Sequence, residues 1–199
     1  MSMPYGKYQK SRNAAWQCLL DNEISCLPVP VSAIARGNGI KIGRYSNNAD
    51  LLLQLGLSDF INHDGVSVRC GDEFAVFYHD GLPPADARFT VAHELGHIFL
   101  GHLMPTVRNG STLEQEADVF ASRLLAPACI LWSMDIHKSE DISTLCDIPM
   151  SSAKLRAKRM QDLYARENAR IAAGQKSCFL LSSLERKVFQ KFADFVNGQ

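Results

Sequence analysis

His93-Glu94-Leu95-Gly96-His97 is the stretch whose reading decides the fold, and it lies inside the longer run Ala87-Arg-Phe-Thr-Val-Ala-His-Glu-Leu-Gly-His-Ile-Phe-Leu-Gly-His102. Ahead of it, Leu82-Pro-Pro-Ala-Asp86 places prolines and an acidic residue where a helix begins, so a helix is predicted to run to about Gly101. At about 100° per residue, His93 and His97 stand about 40° apart around such a helix and about 6 Å apart along it. Both imidazoles can then converge on one ion at the roughly 2.0–2.1 Å that zinc–nitrogen bonds require. Glu94 lies one step round from His93, near enough to reach a water beside the ion while staying out of the ligand set, the position of a general base. Gly96 has no side chain to crowd the approach of another segment or a substrate.

A third ligand is expected from Glu114-Gln-Glu116-Ala-Asp118, which opens the next predicted helix. Ser111 and Thr112 are its candidate N-caps, and Pro127 limits its far end. Pro105 and Asn109-Gly110 break the connection between the two helices, so the second can pack beside the first. Glu114 and Asp118 are one turn apart, so a ligand and a carboxylate accepting a histidine N–H can share a face. Glu116 lies about 200° from Glu114 and cannot share that duty; it remains the alternative ligand or a solvated first-turn residue favoured by the helix dipole. His102 invites a three-histidine reading, but its spacing from His97 is wrong for that motif. As a helical continuation it would point about 140° away from His97, so packing or helix-end stabilisation is expected of it.

The rest of the chain limits the alternatives. Its 199 residues are 46% hydrophobic and 21% charged, an ordinary globular composition, and Lys+Arg and Asp+Glu both total 21. That balance argues against coating nucleic acid or an anionic membrane. No stretch has the roughly 18 apolar residues of a membrane span, and no signal segment opens the chain. Cys18, Cys26, Cys70, Cys129, Cys146 and Cys178 form no C-x-x-C pair, so a reducing cytoplasm is expected, with the thiols as small core residues.

Tyr5 to Leu20 patterns as a helix, and short helices are predicted from Pro30 through Ala35 and from Asn47 to Leu55. Val66, Val68 and Cys70 alternate with Ser67 and Arg69, Gly71-Asp72 turns, and Phe74 to Tyr78 is an apolar strand: a hairpin. Phe74 to Tyr78 is also a candidate edge for an extended substrate. Tyr78, His79 and His63 precede the motif as candidate cleft residues. Further helices are predicted over 139–146, 151–172 and 184–195, the last with Leu184, Val188, Phe192 and Phe195 on one face. Residues 139–163 look like a helix-turn-helix, with Lys154, Arg156, Lys158 and Arg159 on its second helix. A lid packed on the core with a solvated basic face is the expected reading, ahead of docking an acidic protein surface or direct DNA binding.

The run from Ala87 to His102, together with Glu114-Gln-Glu-Ala-Asp-Val-Phe-Ala-Ser-Arg-Leu-Leu-Ala-Pro127, resembles the ImmA/IrrE metallopeptidases, bacterial and phage proteins. Ala126 departs from the methionine frequent in that family. The resemblance implies an α+β, zincin-like core over 1–130, a small antiparallel sheet packed on the motif helix, followed by a helical region over 131–199. It implies a metal held by His93, His97 and Glu114, with Glu94 as catalytic base. It also implies a helix-turn-helix repressor as protein substrate, cut to release a mobile element or a stress response. No repressor module is fused at the N-terminus, so that substrate would come from another gene. The readings kept open are this zinc endopeptidase, a zinc-containing regulator that binds a repressor without cutting it, and metal-assisted hydrolysis of a non-peptide bond.

Overall fold

The computed structural model describes residues 8–57, 62–102, 112–174 and 182–198. The helices are α1 (Gln9–Asp21), α2 (Val31–Gly37), α3 (Ala49–Gln54), α4 (Pro84–Leu100), α5 (Thr112–Leu125) and α6 (Ala128–Ser133). They continue with α7 (Ser139–Cys146), α8 (Met150–Ala172), α9 (Ser183–Lys191) and α10 (Ala193–Asn197). The strands are β1 (Ile40–Arg44), β2 (Gly65–Cys70) and β3 (Glu73–Tyr78). Mostly helical with one small sheet, the architecture fits the α+β class. The chain divides into two compact units, Pro30–Ala121 and Met1–Val29 with Ser122–Gln199.

In the first unit the hairpin forms as expected, with β2 antiparallel to β3 and Val66 opposite Phe77. The expectation of an antiparallel sheet is corrected: β1 pairs parallel to β3, Ile40 opposite Phe74 and Ile42 opposite Val76, so the sheet is mixed. The strand order β1-β3-β2 also corrects the reading of Phe74 to Tyr78 as an edge. β3 is central, and the edges among the described residues are β1 and β2. In Ile40-Lys-Ile-Gly-Arg44 only Ile40 and Ile42 alternate, too few for a period of two to stand out. Tyr45, Leu52, Val66, Val68 and Phe77 form a buried cluster, with Leu57 and Ala75 packed against it.

α4 packs on β2 and β3 and buries Val91, Ala92 and Leu95. The fit is close. A β-carbon on Gly65 would lie 2.4 Å from Thr90 Cγ2 and 3.3 Å from Glu94 Cγ. On the opposite flank, a β-carbon on Gly96 would lie 3.2 Å from both Cα and O of Ala117 and 3.1 Å from Phe120 Cδ1. α4 ends at Gly101, whose φ of 76° is left-handed and costs glycine nothing.

In the second unit α9 packs against α1 and α6, and α7 against α8. Trp16, Leu19, Ile130, Leu131, Val188 and Phe192 are buried. The helix expected over 184–195 is two: the Phe192 N–H bonds the carbonyls of both Val188 and Phe189, and α10 begins at the next residue. α7 and α8 meet at the predicted turn, with Asp147 at φ 50° and Pro149 preceding α8. Arg156 is only 1% exposed and donates to the Ala126 carbonyl, so it does not belong to the basic face that Lys154 and Lys158 present. Cys18, Cys129 and Cys146 are buried as expected, whereas Cys26 and Cys70 are exposed. Burial pushes the Cys18 and Cys129 thiols up to about 12, so neither is a nucleophile at neutral pH.

The start of the N-terminal helix at Tyr5, the cap at Ser111, the connection through Pro105 and Asn109-Gly110, and Cys178 lie outside the described residues. Among those described, no helix is long and apolar enough to cross a membrane.

The contact at Gly65 yields a direct test. Gly65→Ala is expected to destabilise the fold by about 1–3 kcal/mol, as overpacking of a filled interior does. Thr90→Ser, which deletes the clashing methyl, should recover part of that loss in the double variant. Urea midpoints measure both, and an unchanged midpoint in Gly65→Ala would show that helix and strand have room to spare.

Candidate metal centre

α4 supplies His93 and His97 one turn apart, with ring centroids separated by 4.9 Å. The first turn of α5 supplies Glu114. The Nε2 atoms of the two imidazoles are 3.1 Å apart. Glu114 Oε2 lies 3.2 Å from His93 Nε2, and Glu114 Oε1 lies 3.4 Å from His97 Nε2. One candidate ligand atom from each residue falls within 4.8 Å of the others. A tetrahedral ion with bonds of about 2.0–2.1 Å needs neighbouring ligand atoms about 3.3 Å apart; the two imidazole nitrogens, and each of them with its own Glu114 oxygen, stand near that spacing. The donor set, two imidazoles and one carboxylate, is one zinc accepts.

The residues around the triangle are ordered by what each can donate or accept. His93 Nδ1 lies 2.8 Å from Asp118 Oδ1. An ionised carboxylate only accepts, so this nitrogen carries the proton and Nε2 is turned toward the candidate site. Glu94 is buried, 3% exposed, on the flank of α4 that meets Gly65 at the start of β2. Its charge is felt at His93, one residue back on the helix. Burial alone would push the His93 pKa down. The hydrogen bonds to Asp118 and Glu114 outweigh it, the nearby charges of Glu94 and Asp118 add to them, and the value rises to about 9.

Glu116 and His102 differ from expectation. Glu116 is not a solvated first-turn residue: its Oε2 lies 3.0 Å from His102 Nε2. His102 does not point away from His97, because left-handed Gly101 ends the helical register on which that angle was reckoned. The His102 N–H bonds the His97 carbonyl at 2.8 Å, and the two rings meet edge to face at 5.3 Å. The helix-end contact is therefore present, together with a ring contact that residue spacing did not reveal. Of the candidate cleft residues, Tyr78 hydroxyl accepts from Arg44 Nε, and His79 Nδ1 accepts from the Gly81 N–H. His63 is exposed.

Residues 62–158 match a peptidase-family model described as the IrrE N-terminal-like domain. The match runs from just ahead of β2 into the first turns of α8 and includes every residue of the triangle. The curated proteins and the solved structures gave no match.

The raised pKa of His93 has two consequences with definite sign. In the metal-free protein the His93 pairing stabilises the fold in full below the ordinary imidazole pKa of about 6.5, and that contribution is lost as pH rises through about 9. A zinc ion held by His93 Nε2 would have to displace the proton on that nitrogen, so its affinity is expected to climb about tenfold per pH unit and level off above about pH 9. Calorimetry near neutral pH in buffers of different ionisation heat should register about one proton released per zinc. Asp118→Asn should move the levelling point to lower pH. Binding that ignores pH between neutrality and about pH 9 would contradict the assignment of that proton to His93.

Proposed function

We propose, from the match of residues 62–158 to the IrrE N-terminal-like peptidase model, that this protein is a zinc-dependent endopeptidase of zincin-like fold. His93, His97 and Glu114 hold one zinc ion, and Glu94 is the catalytic base. The observation that carries the reading is the convergence of one ligand atom each from His93, His97 and Glu114 to within 4.8 Å of one another, with a buried acid on the same helix as the histidine pair. Bound there, zinc supplies a Lewis acid that polarises a carbonyl and brings the pKa of water toward neutrality.

The chain's own groups do the rest. The Glu94 carboxylate takes a proton from the attacking water as its oxygen adds to the peptide carbonyl carbon. The same carboxyl then gives that proton to the amide nitrogen as the C–N bond breaks, which regenerates the carboxylate and releases the amine. Asp118 holds His93 in the tautomer that keeps Nε2 free of its proton while the metal is bound. An extended substrate segment pairs by main-chain hydrogen bonds along β2, the edge strand whose first residue lies against Glu94.

The substrate is inferred to be a helix-turn-helix transcriptional repressor acting in the same cytoplasm, whose cleavage relieves repression of a mobile element or a stress response. The resemblance of the two motif blocks to ImmA/IrrE metallopeptidases supports this choice. A small repressor encoded beside this protein is the substrate to test first.

Incubated with that repressor, the zinc-loaded protein is expected to cut it, and a chelator should stop the cutting until zinc is restored. Glu94→Gln should retain its zinc by metal analysis while cleavage falls by at least about 100-fold. Cleavage that survives in Glu94→Gln removes Glu94 from the mechanism. A wild-type protein that holds zinc and captures the repressor yet never cuts it would establish a binding regulator instead.

A further inference from the structure

A second row of polar groups stands behind His97. His97 Nδ1 lies 3.3 Å from Nδ1 of His102. His102 Nε2 in turn lies 3.0 Å from Glu116 Oε2. The imidazoles of His97 and His102 are 2% and 5% exposed, and the Glu116 side chain is 21% exposed, so the row is shielded from water along most of its length.

Proton counting orients it. The ionised Glu116 carboxylate can only accept, so His102 Nε2 carries the proton of that neutral ring. His102 Nδ1 is then a bare lone pair and accepts the N–H of His97 Nδ1. His97 Nε2 is thereby left without a proton, and this is the atom that faces His93 Nε2 and Glu114. With one proton per ring, this is the arrangement that makes both contacts hydrogen bonds.

We propose that His102 and Glu116 are positioning residues of the metal centre, an imidazole–carboxylate relay that locks His97 with its Nε2 lone pair toward the ion. His93 receives the same service from Asp118 directly. The inference rests on the zinc reading of the triangle and deepens it. Two features of the chain build the relay: left-handed Gly101 turns His102 back onto His97, and α5 brings Glu116 alongside two residues after Glu114. Such outer partners fix ring orientation and make the liganding nitrogen a stronger donor, and losing one weakens metal binding by about 10- to 100-fold.

The test measures zinc affinity of the full chain by competition with a chromogenic chelator. His102→Phe keeps the ring volume without donor or acceptor, and its zinc affinity is expected to drop about 10- to 100-fold. His102→Asn, whose side-chain oxygen sits near the position of Nδ1, should recover part of that loss. Glu116→Ala, at a partly exposed position that leaves the helix intact, should weaken zinc in the same direction. In the zinc-loaded protein, nitrogen-detected NMR should show the His97 Nδ1 proton shifted or lost to exchange in His102→Phe, while the His93 proton on Asp118 stays in place. A contact that merely filled space would not move one proton and spare the other.

Affinities of His102→Phe and Glu116→Ala equal to wild type would overturn the relay. Should His102→Phe fold poorly, Glu116→Ala decides alone: an unchanged affinity overturns the proposal. Glu114→Ala serves as control. If it binds zinc as tightly as wild type, or wild type binds none, the zinc reading itself has failed rather than the relay.

Discussion

The candidate metal centre depends on how closely α5 can lie against α4. Ala117 Cα and O both stand 3.2 Å from where a β-carbon on Gly96 would be, and Phe120 Cδ1 stands 3.1 Å from it, so the backbone of α5 and the Phe120 ring lie directly on the bare α-carbon. At that separation the first two turns of α5 present Glu114, Glu116 and Asp118 to the histidines of α4 and its C-terminal turn. A larger residue at position 96 would retract all three carboxylates together, because they ride on one rigid helix. The contact is a constraint on geometry more than a source of stability, and the geometry is what a chelate requires.

A second close approach acts on the opposite flank. At Gly65 the first residue of β2 comes against Thr90 and Glu94, which places the acid inside the helix–sheet junction. Burying a carboxylate costs free energy unless opposite charge or hydrogen bonds compensate. His93 is the neighbouring residue on α4, and its proton is held by Asp118, Glu114 and the field of Glu94 together. These carboxylates together favour the charged form of His93 in the metal-free protein, and an arriving cation takes over the place of the Nε2 proton.

The C-terminal helices show how a charge run misleads when read as surface. Lys154 and Lys158 face solvent, but Arg156 on the same helix is spent on the Ala126 carbonyl, just past the end of α5. A guanidinium at a helix C-terminus meets carbonyls that lack partners within the helix, and the dipole there favours a positive charge. On the same helix, Tyr164 stacks on Trp132 at 3.8 Å. The basic stripe of α8 is thus thinner than its composition suggests.

What the sequence by itself determined is whatever one element's period encodes. The i, i+4 pair His93 and His97, the prolines before α4, the stop at Gly101, the shared face of Glu114 and Asp118, and the β2–β3 hairpin are all local. The tertiary structure alone decided which separate elements meet. It placed β1 parallel to β3, set α4 hard against Gly65, buried Arg156, and joined His102 to both His97 and Glu116. The physical reason is that periodicity reports direction around one axis, provided the axis continues. It carries no distance between elements remote in the chain, and a single left-handed residue such as Gly101 ends the axis and with it every angle reckoned along it.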